Sequence, residues 1–186
     1  MTLWWVVLIG LGVVAIWLYN SLVGLRNQVR SAWAQIDVQL KRRHDLIPNL
    51  VGAVKGYLQH EREVLERVTE ARARAMGARG AAATGQAEGQ LSQAVAGLVA
   101  VMERYPDLKA NQNVLALQEE LVSTENRIGF ARQLYNDMAA RYNTRQQVFP
   151  LNLVATGLGF QPAEFFQMDA GERAVPQVDL SRRESP

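Results

Sequence analysis

The sequence predicts an all-α protein: an N-terminal transmembrane helix continuing into an up-and-down, antiparallel bundle of long helices. Three observations lead there. Residues 1–25 carry no charged side chain, apolar residues then recur at steps of three and four from Leu22 to Val68, and a heptad seam runs from Val114 to Tyr142.

The anchor comes first. Residues 3–18 (LWWVVLIGLGVVAIWL) are almost wholly apolar, and at about 1.5 Å per residue the uncharged stretch can cross a hydrocarbon core of roughly 30 Å. Trp4 and Trp5 at one end, with Trp17 and Tyr19 near the other, form two aromatic belts at headgroup depth, the inner edge extending toward Leu22. A cleaved secretory signal is the rival reading. It requires a basic n-region and a small-residue cleavage site, and the chain shows neither before Trp4 nor a clear A-x-A after Tyr19. Gly10 and Gly12 lack GxxxG spacing and read as ordinary transmembrane glycines. Orientation follows from the flanks: Arg26, Arg30, Lys41, Arg42 and Arg43 follow the span and no Lys or Arg precedes it. The positive-inside rule then places the N-terminus outside and the bundle in the cytoplasm.

Residues 22–149 make the bundle. The stripe Leu22, Leu25, Val29, Trp33, Ile36, Leu40, Ile47, Val51, Val54, Leu58, Leu65 and Val68 keeps its phase across Pro48. A kink or two nearly coaxial helices are expected there, because an interior proline lacks a donor and clashes one turn back. Residues 77–89, with their glycines among alanines, read as a flexible connection. A helix over about residues 88–104 follows, stopped at Tyr105-Pro106, with Asp107, Asn111 and Asn113 as N-cap candidates for the next. The seam Val114, Leu117, Leu121, Thr124, Ile128, Ala131, Tyr135, Met138 and Tyr142 is the cleanest pattern and closes before Pro150. Residues 150–168 form an aromatic, glycine-rich strap without helical periodicity. With Phe149, its Phe160, Phe165 and Phe166 either pack over one end of the bundle or present an apolar patch to a partner or membrane. Residues 169–186 read as a polar, mobile tail.

Little in the chain suggests chemistry. With no Cys, thiolate metal sites, disulfides and a Cys nucleophile are excluded. His44 and His60 stand in no metal motif, and His60-Glu61 reads as a solvated helix face. Glu119, Glu120, Glu125, Arg127 and Arg132 flank the seam, where charge usually sets helix pairing. Asp37, Asn126, Asn136 and Asn143 are candidates for polar helix contacts. A net charge of only +2, mixed along the chain, argues against nucleic acid. No catalytic, metal or cofactor-binding residue is expected, and the chain is read as a non-enzyme.

The stretches YNSLVGLRNQVRSAWAQIDVQLKRRHDLIPNLV, HEREVLERVTEARARA, YPDLKANQNVLALQEELVSTENRIGFARQLYNDMAARYN and FPLNLVATGLGF together resemble the LemA family of bacterial membrane proteins. The resemblance implies a short outer N-terminus, one membrane pass and a cytoplasmic helical bundle. It transfers no catalytic residues, and magnetosome-associated members suggest membrane organisation. The expected function is that of a scaffold that self-associates and recruits a membrane or cytoplasmic protein at the lipid bilayer; the alternative is a regulatory or assembly subunit of a membrane enzyme such as a protease. Lys41 to Arg43 could meet anionic headgroups, but on a straight helix they lie more than about 30 Å from the anchor's centre.

Overall fold

The computed structural model describes residues 2–58 and 60–167, so the expected polar tail lies outside the described residues. The chain forms α1 (Thr2–Val54), α2 (Arg62–Gly77), α3 (Ala81–Met102), α4 (Pro106–Ala110), α5 (Gln112–Gln147) and α6 (Leu151–Gly157), with no strand among the described residues.

Helix α1 is one element of 53 residues, about 80 Å long at 1.5 Å per residue. Its first part is bare: Leu3 to Trp17 are exposed. From Leu18 onward it buries Leu18, Leu22, Val29, Ala32, Ile36, Leu40, Ile47, Leu50 and Val54, the stripe that a 3.6-residue period requires. Helix α5 lies antiparallel along it. Residue numbers fall on α5 as they rise on α1, from the Trp33–Tyr135 ring contact to the Arg42–Glu120 ion pair. Helices α2 and α3 form an antiparallel pair filling the far half. There Ile47, Leu50, Val54, Val68, Leu91, Leu98, Leu108 and Val114 share one core, each large side chain contributing about 1.5–3 kcal/mol by burial. The path is up-and-down, as expected.

Local signals explain the boundaries. Asn111 caps α5, its Oδ1 accepting from the backbone N–H of Asn113 at 3.0 Å and Val114 at 3.3 Å, an interaction of about 1 kcal/mol. Pro106 occupies the first turn of α4, where its missing N–H costs nothing.

Four expectations need correction. Of the two alternatives at Pro48, two coaxial helices are overturned: α1 runs through it as one element to Val54. The stripe that continues to Val68 is interrupted by turn backbone at residues 55–57, after which α2 buries Leu65 and Val68 in the same core. Residues 77–89 are mostly helix, because α3 starts at Ala81; only the turn around Gly80, at φ 84°, connects it to α2. Gly85 there serves close packing: a Cβ on it would lie 2.3 Å from the carbonyl oxygen of Gln167. The strap, finally, contains a helix of its own, α6, before running extended from Gln161 to Gln167.

Candidate functional site

Two polar assemblies and one apolar groove distinguish this bundle. The first assembly lies where α1, α3 and α5 meet. Glu88 of α3 is completely buried. Its Oε1 accepts from His44 Nε2 at 2.7 Å and its Oε2 from Arg43 at 3.1 Å. The same guanidinium reaches Ser92 Oγ at 2.8 Å and the Glu125 carboxylate at 3.1 Å, and the Ser92 hydroxyl donates to Glu125 at 3.4 Å. Each buried charge thus has partners, the condition under which such groups are tolerated in a core. Arg72 of α2 joins from the other side, its Nε donating to the His44 carbonyl oxygen at 2.7 Å. That oxygen is the acceptor one turn before Pro48, which has no N–H to offer it. The network therefore cross-links four helices and repairs the proline defect in α1. Its groups are occupied with one another, which suits register-setting.

The second assembly holds the strap on α5. Asn143 receives the Ala163 N–H on its Oδ1 at 2.8 Å and donates Nδ2 to the Ala163 carbonyl at 2.9 Å. Asn136 does the same for Phe166, at 2.9 and 3.0 Å. Tyr135 Oη donates to the Glu164 carbonyl at 2.8 Å. The spacing is physically matched: seven helical residues rise about 10.5 Å, and three extended residues span about 10 Å. Two asparagines one heptad apart can therefore grip two residues three positions apart on the strap. Burial pushes the Tyr135 phenol up from its ordinary pKa, and the nearby Glu164 carboxylate adds to it.

The aromatic residues divide. Phe166 is buried against Trp33, with ring centroids 6.1 Å apart. Phe160 is half-buried, meeting Tyr19 edge-on at 6.0 Å and lying under the Arg26 guanidinium at 5.0 Å. Phe149 and Phe165 are exposed. Of the four, Phe160 and Phe166 are thus packed on the bundle and Phe149 and Phe165 are not.

The aromatic anchor residues Trp4, Trp5 and Trp17 stand exposed on bare α1, and Tyr19 is exposed beside Phe160. Among the flanking cations, Arg30, Lys41 and Arg42 are exposed and Arg26 is half-buried. Arg43 departs from that set: it is 3% exposed and committed to Glu88 and Glu125, so it is no free flanking charge. His60 and Glu61 are not on a helix face; they lie between α1 and α2, where Glu61 accepts from Tyr105 and Arg104. Asp37 and Asn126 are exposed rather than at helix contacts. Sequence reasoning missed the network around Glu88. The usable signal was the interval between Leu40 and Ile47, where Arg43 and His44 occupy the stripe positions an apolar side chain would fill.

The groove lies on the outside of the α1–α5 pair, lined by Ala34, Val38, Arg127, Phe130 and Leu134. Val38 is 62% and Phe130 74% exposed at its edges. Among the described residues no group of three His, Cys, Asp or Glu side chains is placed to hold a metal ion.

Comparison with known proteins agrees with this architecture. The chain is 27% identical over 163 residues to Protein LemA of Metamycoplasma hominis, covering 87% of this chain and 74% of that one. It is 25% identical over 189 residues to Magnetosome protein MamQ 2 of Paramagnetospirillum magneticum, and 24% over 190 residues to Magnetosome protein MamQ of Magnetospirillum gryphiswaldense, each alignment covering 86% of this chain and 70% of the relative. A sequence model of the LemA family matches residues 32–180, a range that takes in most of the bundle and the strap, and the chain belongs to the LemA family.

Proposed function

We propose that this protein is a membrane-anchored scaffold that self-associates through its α1–α5 face and organises partners at the membrane, acting by contact rather than catalysis. The observation that carries the reading is the exposed apolar groove between α1 and α5, with Phe130 projecting at its edge. Knob and groove lie on one surface, the condition for a self-complementary two-fold contact. Burying the Phe130 ring there contributes about 1.5–3 kcal/mol per copy. Anchoring in one plane by the bare segment of α1 raises the local concentration of copies, so a modest contact suffices. The bundle lies in the cytoplasm in this reading, since Arg26 and Arg30 flank the span on the bundle side. Relatives named as magnetosome proteins support a role in ordering an assembly.

The test is the mass of the full-length protein in mild detergent beside Phe130→Asp. A homogeneous assembly that survives dilution and dissociates on substitution supports the scaffold. A monomer in both forms overturns it and favours an adaptor for another membrane protein.

A further inference from the structure

From the seating of α6 against the last turns of the membrane-spanning segment, we propose that α6 and its flanks are a second membrane contact, inserted into the bundle-side interface of the bilayer. This rests on the reading of α1 as an anchor.

A span that starts at Leu3 reaches Leu22 after about 28 Å at 1.5 Å per residue, close to the roughly 30 Å of a hydrocarbon core. Leu18 and Leu22 therefore belong to the final turns of the span, yet they are 6% and 0% exposed, covered by Leu151 and Ala155 of α6. Whatever packs on those turns sits at membrane depth. Helix α6 uses Leu151, Val154 and Ala155 for that contact, the one-face spacing of a helix.

The apolar surface that this contact leaves uncovered is what a lipid surface accepts. Phe149 is 75%, Leu153 64% and Leu158 59% exposed. No charged residue stands between Arg145 and Glu164, just as none precedes Arg26 in α1. The two uncharged segments are packed together, and the first cation of α1, Arg26, lies over Phe160 at the edge of the pair. On α1 positive charge thus begins beside Phe160, next to the uncharged pair, the arrangement of an interfacial element with a headgroup-facing rim. The bilayer is the occupant argued for because this patch is continuous with the bare surface of α1.

The chain's lack of cysteine permits single environment-sensitive labels on the full-length protein. Leu153→Cys and Leu158→Cys carry the test label, Val7→Cys reports the span, and Glu119→Cys reports the far end of α5. Each is placed in vesicles of phosphatidylethanolamine and phosphatidylglycerol and exposed in turn to nitroxide-bearing lipid and to aqueous iodide. Quenching by the lipid is expected to be several-fold stronger at Leu153 and Leu158 than at Glu119, with iodide quenching lost in the same proportion. If Val7 is quenched by lipid while Leu153 and Leu158 behave like Glu119, the anchor stands and the second contact is overturned. Shielding of Leu153 from both quenchers that fades as the protein is diluted in lipid also overturns it, in favour of a second copy. Failure of lipid to quench Val7 overturns the anchor and this inference together.

Discussion

Arg72 donates a hydrogen bond to the carbonyl oxygen of His44, the acceptor that Pro48 leaves without its helical partner. An arginine on a neighbouring helix thereby stands in for a missing backbone N–H, and α1 passes through a proline without ending. Removing Arg72 as Arg72→Leu should cost about 1.5–3 kcal/mol, the range for hydrogen bonds from charged groups. Pro48→Ala restores the N–H and should shrink that cost. A double-mutant cycle on thermal or urea melts measures the coupling; additive effects would separate the two residues.

Glu88→Ala leaves Arg43 with Glu125 and the Ser92 hydroxyl and removes the acceptor of His44. Loss of one member of a buried ionic set costs about 3–5 kcal/mol, and the surviving Glu125 contact places this change at the lower end. Circular dichroism melts of the full-length protein give the value, and a loss below about 1 kcal/mol would mean that the network contributes little to folding.

The strap should come off α5 one clamp at a time. Asn143→Leu and Asn136→Leu each strand a half-buried backbone pair and should weaken docking by about 1–3 kcal/mol. Amide exchange is the direct readout. Protection of Ala163 should fall most in the first variant and that of Phe166 in the second, while protection of Leu98 and Leu121 is retained.

Alkali should release the same segment. The Tyr135 phenol is held above its ordinary value near 10 by burial. The native state therefore favours the protonated form: its contribution is complete below the unfolded pKa and is lost as pH rises through the higher folded one. Tyr135→Phe should abolish that part of the alkaline transition, followed by ultraviolet absorbance of tyrosinate.

Two glycines of α3 should respond in opposite ways. Gly85→Ala forces a Cβ to within 2.3 Å of the Gln167 oxygen and should destabilise the strap. Gly97→Ala meets nothing within 4 Å and should raise stability by about 0.5–1 kcal/mol through helix propensity. Melting temperatures of the two variants settle the contrast.

Much of this architecture was legible from periodicity. The seam from Val114 to Tyr142 is buried at Val114, Leu121, Thr124, Ile128, Ala131, Tyr135 and Tyr142. It misleads at Met138, which is half-buried while Ala139 is fully buried, because a straight helix drifts from a strict heptad. The start of α3 was hidden by its glycines, whose composition suggests a loop until a close-packed strap is known to cross them. Glu88 was hidden with it. Asn136 and Asn143 stood out as candidate contacts, but their partner was the backbone of Ala163 and Phe166, which no side-chain pattern encodes.

The continuity of α1 gives the protein a lever. With residues 3–22 as the span, as proposed above, the same rod extends about 48 Å beyond the bilayer between Leu22 and Val54. A change of tilt of about 20°, ordinary for a spanning helix adapting to bilayer thickness, swings the far tip by about 16 Å. In that reading membrane thickness is converted into lateral reach, the sideways position of the α2–α3 end following the lipid around residues 3–22.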